Sequence, residues 1–481
     1  MALREHSQAL ARRPLYDEAM ASFFQNVDGA SELPLPYNER HGPEPIGRLR
    51  ARCVLVDMEP AVIAEARRGP LSDLFSDRQV VTDVSGAGNN WAHGYHVYGP
   101  QYRDKILDAL RIQAEMCDAL QSFFLTQSLG GGTGSGLGSY IVELLKDEYP
   151  DIYRFVSCVV PSEADSDDVI VSPYNAVLAS RTLREDASCV LPVGNDALMS
   201  ICANIKESKA DSRMGSAISQ TAGKKLPSDG AGPSSKASGG CVVSMGDGQE
   251  KPFDQMNTII ARVLNSLTAS MRFDGSLNVD LNEITTNLVP YPGMHFLLPA
   301  LSPLTQPKDV RLQPRNVDQM FSDALSSSHQ LLSCNPKNSV TMAIAFLLRG
   351  NISIHDVERN VQRVKPSVKM LPFNNDAFKV GLCTQAPIGQ PFSVLALSNN
   401  CSVSKPFSQL RDRFLTLYRR KAHVHHYTQH GADPGLFADA KESLQRLIDD
   451  YDHVDTTLEP PLSCQTPYLA DRDDRVPPTR S

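Results

Sequence analysis

The chain has 481 residues, of which 41% are hydrophobic and 21% charged, and its formal net charge is −8 at pH 7. This length exceeds what a single hydrophobic core supports, so we expect two or three globular domains. The negative charge argues against a general nucleic-acid-binding protein, and no apolar run reaches the roughly 18 residues that predict a membrane span.

The cysteines and the N-terminal segment indicate the cellular compartment. Ten cysteines are scattered along the chain without Cys-x-x-Cys pairs, and the segment MALREHSQALARR lacks the apolar core of a signal peptide. These features predict reduced thiols, no zinc site and a cytoplasmic protein.

Residues 1–206 alternate short apolar segments typical of strands with segments of helical periodicity. The predicted strands are 50–57, 120–127, 153–160 and 188–193. The predicted helices are 102–118, 134–147, 174–186 and 196–206. This alternation predicts an α/β domain with a parallel sheet wrapped by helices, which binds ligands at the carboxyl ends of its strands.

Residues 207–250 interrupt this alternation. They are rich in Ser, Gly, Ala and Lys, and they contain too few apolar residues to offset the entropy of ordering, which predicts a disordered polar insertion, either inert or regulatory. Residues 251–273 then predict a central helix. Its apolar residues lie around most of its circumference, so we expect it between two layers of the protein.

Residues 274–400 predict a second α/β domain, with strands at 294–301, 339–350, 378–384 and 392–399 and helices at 316–326 and 354–363. Residues 401–455 predict a C-terminal helical hairpin, with helices at 407–429 and 436–454, and residues 456–481 predict a flexible tail. Four histidines, His423, His425, His426 and His430, lie within this first helix or directly after it. Their aromatic surroundings favour a packed or solvated face over a metal site.

The segment SLGGGTGSGLGS at 128–139 is the strongest motif of the chain. It joins the predicted strand 120–127 to a predicted amphipathic helix, and five of the residues from 130 to 136 are glycines. A strand followed by a glycine loop and a helix N-terminus binds anions, because backbone N–H groups and the helix dipole face the ligand. The motif therefore predicts a nucleotide phosphate site, with a flexible turn as the alternative.

Neither common nucleotide motif fits this loop. It lacks the Lys of Gly-x-x-x-x-Gly-Lys-Ser/Thr, and Gly-x-Gly-x-x-Gly fails at its last position in every register. The motif GGGTGSG after an apolar strand resembles the tubulin signature instead. The resemblance extends from about residue 3 to about residue 455 and includes SGAGNNWAHG (85–94), VDMEP (56–60), SPYNAVL (172–178), GNDALMSI (194–201), PFDQMN (252–257) and GSLNVDLNEITTNLVPYPGMHF (275–296).

The resemblance implies a tubulin-like fold that binds GTP or GDP with Mg²⁺. That fold has a nucleotide-binding parallel-sheet domain, a central helix, a second α/β domain and a C-terminal helical hairpin. The positions that match the family's phosphate contacts are Ser128, Gly130, Gly131, Gly132, Thr133 and Gly134. Gly88 and Asn89 match a loop that senses the γ-phosphate.

The resemblance assigns further positions to the metal and the base. Asp57 matches a position near the phosphates, and Glu59 matches one that holds Mg²⁺ through water, although the residues alone also permit both carboxylates to cap a following helix. The positions that match guanine contacts are Asn195, Phe253 and Asn257. Alpha- and beta-tubulins usually have Tyr where Phe253 stands, so stacking is kept without the hydroxyl; they have Glu where Ser172 stands, which weakens the expected ribose contact.

Glu283 matches the glutamate of alpha-tubulin that acts across an interface on the nucleotide of the adjoining subunit. A carboxylate there orients an attacking water, so the resemblance implies GTP hydrolysis only as part of a tubulin interface. From the residues alone, Glu283 is an exposed carboxylate at a helix end that forms a salt bridge.

Within the family, LREHSQAL, DEAMASFFQNVD, DQMFSDALSSSHQLL and the insertion at 207–250 resemble the epsilon class, with the delta class or a divergent alpha chain as alternatives. That class implies a structural role in centrosomes, centrioles and basal bodies, in forming triplet microtubules, with delta-, alpha- and beta-tubulin and centriolar proteins as partners. The alternatives are a nucleotide-free adaptor that binds other tubulins and a stand-alone cytosolic GTPase. The resemblance also implies a strand and a Gly-Gln-Cys-Gly-Asn-Gln loop before the first helix, yet no Gly-Gln-Cys occurs in the first 50 residues.

Overall fold

The computed structural model describes residues 1–9, 15–28, 44–162, 169–205, 253–304, 316–374 and 376–464. The predicted insertion at 207–250 lies outside these residues, as does the predicted tail beyond residue 464.

The N-terminal half consists of short strands and the helices that connect them. Its strands are β1 (Leu15–Tyr16), β2 (Phe24–Val27), β3 (Glu44–Pro45), β4 (Arg48–Ala51), β5 (Leu55–Val56), β6 (Val80–Val81), β7 (Ser122–Ser128), β8 (Tyr153–Val160) and β9 (Cys189–Gly194). Its helices are α1 (Ala2–Ala9), α2 (Glu18–Ala21), α3 (Pro60–Ala66), α4 (Gly99–Glu115), α5 (Gly138–Glu148), α6 (Ser172–Asp186) and α7 (195–205 within the described residues).

The parallel sheet predicted for this half is confirmed in β7, β8 and β9. The three strands pair in parallel in this order, with Phe124 opposite Phe155 and Phe155 opposite Cys189. Nearly every residue of β8 and β9 is buried, as is typical of a parallel sheet covered by helices on both faces. Because the strands run in one direction, the segments that follow them all leave at the same edge of the sheet.

The prediction of one strand at 50–57 is wrong. Residues 48–51 form β4, which pairs antiparallel with β2, whereas residues 55–56 form β5, which pairs in parallel with β6. Arg52 lies at the break, where its guanidinium donates to the carbonyl oxygens of Ala21 at 2.7 Å and Met116 at 2.9 Å. These bonds hold the chain at the point where it passes from one sheet to the other.

The parallel strands of this half are divided between two sheets. β5 and β6 form one, β7, β8 and β9 form the other, and no described strand pairs with the second edge of β7. The residues of β7 are correspondingly less buried than those of β8, and both polar atoms of the buried Gln127 amide lack a partner among the described residues.

The central helix is interrupted near its end. It consists of α8 (Asp254–Leu267) and α9 (Ala269–Arg272), with Thr268 between them at φ −97° and ψ 6°. The Thr268 hydroxyl donates to the carbonyl oxygen of Leu264 at 2.8 Å, which satisfies a backbone acceptor at the helix end. α8 packs on strands of the second domain, so the position between layers agrees with the prediction, although the unbroken helix does not.

The second domain has a mixed sheet with helices. Its strands are β10 (Gly275–Leu277), β11 (Leu298–Ser302), β12 (Thr341–Gly350), β13 (Phe378–Cys383) and β14 (Phe392–Asn400), in the order β10–β13–β12–β14–β11. Only β12 and β13 pair in parallel. Its helices are α10 (Leu281–Leu288), α11 (Val317–Ala324) and α12 (Ile354–Val364).

The C-terminal region has two long helices with a short one between them. They are α13 (Ser404–Tyr418), α14 (Val424–Thr428) and α15 (Pro434–Thr457). The prediction of one helix at 407–429 is wrong, because Lys421 and His423 adopt left-handed backbone angles, with φ 49° and φ 59°. A right-handed helix does not continue through such residues, so the chain turns between α13 and α14.

Helix α6 joins the N-terminal sheet to the C-terminal helices. Its Tyr174 is fully buried, and its ring meets those of Phe414, Tyr427 and Phe437 edge to face, at centroid distances of 5.3, 5.7 and 5.3 Å. Aromatic rings in this arrangement contribute about 0.5–1.5 kcal/mol per pair beyond their burial. The C-terminal helices are thereby fixed to the helix that follows β8.

A buried ion cluster attaches helix α1 to the second domain. Glu5 accepts from Arg272 at 2.8 Å and from Arg349 at 3.0 Å, and all three side chains are at most 4% exposed. One carboxylate thus pairs with two guanidiniums that come from α9 and β12.

Two further observations concern the described residues as a whole. The nine cysteines among them are all free thiols. None of their helices combines the length and the apolar character needed to cross a membrane.

Candidate functional site

The glycine-rich loop lies where the sequence predicts it, at the carboxyl end of β7. It passes through 129–132 into a wide helical turn at Thr133–Leu137 and then into α5. Within the turn the hydroxyl of Ser135 donates to the carbonyl oxygen of Gly131. The strand, loop and helix N-terminus of the predicted anion site therefore occur in the expected order.

Several of the glycines are required by packing within the protein. A Cβ atom on Gly132 would lie 2.5 Å from the backbone nitrogen of Asn90, and one on Gly134 would lie 2.5 Å from the carbonyl oxygen of Ser128. A Cβ on Gly136 would meet the carbonyl oxygen of Trp91. These three glycines allow the loop to pack against β7 and the segment 87–91.

Gly130 and Gly131 are different, because nothing in the protein crowds them. A Cβ on Gly131 would meet only the Asn89 side-chain oxygen, at 3.7 Å, and one on Gly130 would make ordinary contacts with Ser172 and Pro161, at 3.6 Å and beyond. The space over these two glycines is a cradle that a side chain would fill. It fits a phosphate group held by backbone N–H donors.

The second predicted loop borders this cradle. Gly88 and Asn89 are exposed and have left-handed backbone angles, with φ 57° and φ 54°. The next residue, Asn90, is buried, and its amide donates to the carbonyl oxygen of His426 at 2.9 Å and accepts from Ala92 N at 2.9 Å. The exposed tip of the loop thus faces outward while its base is fixed to the region of α14.

Asn175, which sequence reasoning did not single out, holds the two loops together. This fully buried side chain donates to the carbonyl oxygens of Asn89 and Gly130, both at 2.8 Å. Its side-chain oxygen accepts from the backbone N–H of Trp91 at 3.0 Å and from the hydroxyl of Tyr427 at 2.7 Å. The sequence offered two signals, the resemblance of the segment SPYNAVL at 172–178 and an amide within an otherwise apolar helix segment.

The two carboxylates of VDMEP lie before α3, and that of Glu59 contacts the second loop at Gly86. Asp57 follows β5 and accepts from the backbone N–H of Glu59 at 3.1 Å. Glu59 stands at the N-cap of α3, but its side chain makes no capping hydrogen bond and instead lies beside Gly86, where a Cβ would be 2.6 Å from it. Capping of α3 therefore does not account for the Glu59 carboxylate.

The predicted guanine and ribose positions are separate from these contacts. Asn195 begins α7 directly after β9, at the same edge of the sheet as the glycine loop. The Phe253 ring is 60% exposed, and Asn257 is exposed one turn further along, with its N–H bonded to Phe253 O at 2.9 Å. Ser172 is buried at the start of α6, and its Cβ lies 3.6 Å from the position that a Cβ on Gly130 would take.

Glu283 lies in the first turn of α10, on the second domain. The Asp280 side chain caps this helix by accepting from Glu283 N at 2.7 Å. The ammonium of Lys379 lies 3.3 Å from one carboxylate oxygen of Glu283, and the Glu283 side chain is 45% exposed. The salt bridge expected from the residues alone is therefore present; the oxygen that faces Lys379 is itself buried, although the side chain as a whole is partly exposed.

Of the four histidines, His430 packs against the glycine-loop domain, whereas His425 and His426 are exposed. The ring of His430 stacks on that of His93 at 4.5 Å, and the ring of His425 lies 4.0 Å from that of His426. Partial burial and the nearby His430 lower the pKa of His93. Within the described ranges, no three His, Cys, Asp or Glu side chains are arranged to hold a metal ion.

Comparison with known proteins gives a consistent relationship along the chain. Residues 4–203 match the model of the GTPase domain of the Tubulin/FtsZ family, and residues 292–412 match that of the tubulin C-terminal domain. The chain is 45% identical to the tubulin epsilon chains of Homo sapiens and Mus musculus over 463 residues, which cover 96% of this chain and 93% of each relative. It is 35% identical to the tubulin alpha-1 chain of Saccharomyces cerevisiae over 418 residues, covering 85% of this chain and 84% of that one.

Proposed function

This chain belongs to the tubulin family, and from that premise we propose that it is a GTP-binding structural subunit of microtubules in centrioles and basal bodies. The nucleotide part of the proposal rests on the cradle over Gly130 and Gly131. A Cβ atom on either glycine would clash with no other atom of the protein, so packing does not explain why both residues are glycines. The cellular part rests on the resemblance to epsilon tubulins.

The phosphates of GTP or GDP bind in this cradle. Backbone N–H groups of 130–134 and the hydroxyls of Ser128 and Thr133 donate to the phosphate oxygens, and the N-terminus of the following helix adds positive potential. Gly88 and Asn89 close over the γ-phosphate from the second loop. The guanine stacks on Phe253, and the amides of Asn195 and Asn257 bond to its polar edge.

The carboxylates of Asp57 and Glu59 lie two residues apart, between the end of β5 and the start of α3. Glu59 would hold Mg²⁺ through bound water, with Asp57 nearby, since hard oxygen ligands suit this ion. When bound, Mg²⁺ neutralises phosphate charge during transfer. This assignment is supported by the Glu59 side chain, which lies beside Gly86 and makes no capping hydrogen bond to α3.

Hydrolysis requires a neighbouring subunit in this proposal. Glu283 of one subunit orients the water that attacks the γ-phosphorus of the nucleotide in the next subunit, and the bond to the bridging oxygen of GDP breaks. The products are GDP and inorganic phosphate. The partners are therefore other tubulins, with delta-, alpha- and beta-tubulin as the candidates, together with centriolar proteins.

Nucleotide content tests the binding proposal directly. The purified full chain is denatured and the released nucleotides are separated by chromatography, comparing the unaltered chain with Gly131→Ala and with Gly69→Ala as a matched control. A Cβ on Gly69 would have no atom within 4 Å, so alanine there touches nothing. We expect guanine nucleotide in the unaltered chain and the control, and its loss from Gly131→Ala.

Other results would contradict the proposal. A folded chain without guanine nucleotide would favour the adaptor that binds other tubulins without GTP. Adenine nucleotide would overturn the assignment of the base contacts. The cellular role is tested by imaging the tagged full chain, which we expect at centrioles or basal bodies rather than throughout the cytoplasm.

A further inference from the structure

Residues 422–432, here called the α14 segment, are hydrogen-bonded to residues that hold two loops. These loops, here called the phosphate loops, are the glycine loop after β7 and the loop that contains Gly88 and Asn89. The Asn90 side chain donates to His426 O at 2.9 Å, and the Tyr427 hydroxyl donates to the Asn175 side chain at 2.7 Å. The hydroxyl of Tyr174 donates to Ala422 O at 2.9 Å. Two hydrogen bonds therefore join the segment to Asn90 and Asn175, which hold the phosphate loops, and a third joins it to Tyr174 of α6.

The Asn175 side chain has no spare hydrogen-bonding capacity. An amide offers two N–H donors and two acceptor positions, and here the donors bond to Asn89 and Gly130 while the oxygen accepts from Trp91 and Tyr427. Because the side chain is fully buried, a bond that opens is not replaced by one to bulk water. Movement of either loop consequently changes the bond to Tyr427.

Tyr427 is suited to this connection. The residue is 1% exposed and its burial raises the pKa of the hydroxyl far above its ordinary value, so the hydroxyl remains a donor. Its ring packs edge to face on Tyr174 and Phe437, at 5.7 and 5.3 Å. The aromatic contacts fix the position of the ring, and the hydroxyl forms the hydrogen bond that depends on the position of the Asn175 side chain.

We propose that Asn175 is a positioning residue that couples nucleotide occupancy of the two phosphate loops to the order of the α14 segment through the Tyr427 hydroxyl. Bound phosphate fixes Asn89 and the glycine loop, and this keeps the amide of Asn175 aligned with Tyr427. Loss of nucleotide frees the loops and loosens the segment. By linkage, the factor by which bound nucleotide favours the ordered segment is the factor by which the ordered segment strengthens nucleotide binding. This inference rests on the guanine-nucleotide function proposed above.

The test compares Tyr427→Phe with Tyr174→Phe as a matched control. Each removes one hydroxyl of the α14 attachment and keeps its ring, but only the first touches Asn175. Fluorescent GTP is released from the full chain, and the emission of Trp91, the only tryptophan, reports the loop directly. We expect about tenfold faster release from Tyr427→Phe, the effect of losing one buried hydrogen bond, and less than twofold change in the control.

Hydrogen exchange supplies a measurement that a purely structural role would not affect. In the unaltered chain, amides of 422–432 should exchange more slowly with GTP bound than without it, and Tyr427→Phe should abolish that difference while remaining folded. Nucleotide binding without any change in this segment would overturn the coupling and leave the GTP proposal intact. Equal acceleration by the two variants would also overturn it. A chain that binds no guanine nucleotide would refute both.

Discussion

The α-carbon of Gly132 packs directly on the backbone of Asn90, so that a Cβ would stand 2.5 Å from its nitrogen. This contact joins the loop after β7 to the loop after β6. Gly132 is therefore a glycine needed for packing, whereas Gly131 is one that leaves space for a ligand. The two kinds should respond differently to the same substitution.

We expect Gly132→Ala to lower the free energy of unfolding by several kcal/mol, since the new Cβ is also 2.9 Å from Ala87 and the clashes involve backbone that cannot move aside. Gly131→Ala should change it by about 0.5 kcal/mol or less, because its Cβ has only one contact. Urea unfolding of both variants measures the difference. Equal losses of stability would show that Gly131 is also a packing residue.

Glu283→Ala should leave nucleotide content unchanged and slow polymer-dependent GTP hydrolysis by about 100-fold, the scale of a positioned acid–base group. Lys379→Met is the control, since it removes the salt-bridge partner 3.3 Å away and keeps the carboxylate. Phosphate release from assembled protein is the measurement. If Lys379→Met slowed hydrolysis as much, the salt bridge and not the carboxylate itself would be responsible.

Glu5→Gln should destabilise the protein by about 3–5 kcal/mol, because it leaves two buried guanidiniums without a counter-charge. The matched control is Glu442→Gln, whose partner Arg446 and whose own side chain are 66% and 61% exposed. That change should cost about 0.5 kcal/mol or less. Denaturant midpoints distinguish the two, and a Glu5 variant as stable as its control would show that the cluster does not hold α1 in place.

Acid should destabilise the protein as pH falls from about 6.5 toward 4. Burial lowers the pKa of His295 to about 4, while its ring lies 3.0 Å from Leu183 O. The folded state therefore binds fewer protons than the unfolded one, whose histidine pKa is about 6.5, so stability is full above that pH and declines below it, by about 3 kcal/mol for this group. His6 adds the same trend, since burial lowers its pKa to about 4 as well.

Unfolding in urea at a series of pH values measures this slope. His295→Gln replaces the ring with a side chain that does not titrate, so its slope between pH 6.5 and 4 should be shallower than that of the unaltered chain. An identical slope in both would mean that other groups cause the acid sensitivity.

The hydrophobic pattern of a single segment was sufficient to predict a strand or a loop whose structure depends mainly on that segment. The strand at 153–160 has the predicted bounds, and the glycine loop follows its strand as expected. The errors at 50–57 and 407–429 have another origin. The bonds of Arg52 to Ala21 and Met116, and the left-handed turn at Lys421, depend on partners or backbone angles that hydrophobic periodicity does not reveal.

The sequence by itself determined the family and the order of the α/β domains, and it predicted the segments expected to contact a nucleotide, because these follow from motifs and apolar spacing along the chain. Only the tertiary structure decided which glycines pack and which leave a cradle, that Glu283 pairs with Lys379, and that Asn175 bonds to Tyr427, 252 positions away. Such contacts arise when distant segments fold onto one another. Their geometry depends on the packed core between them, and no single segment contains that information.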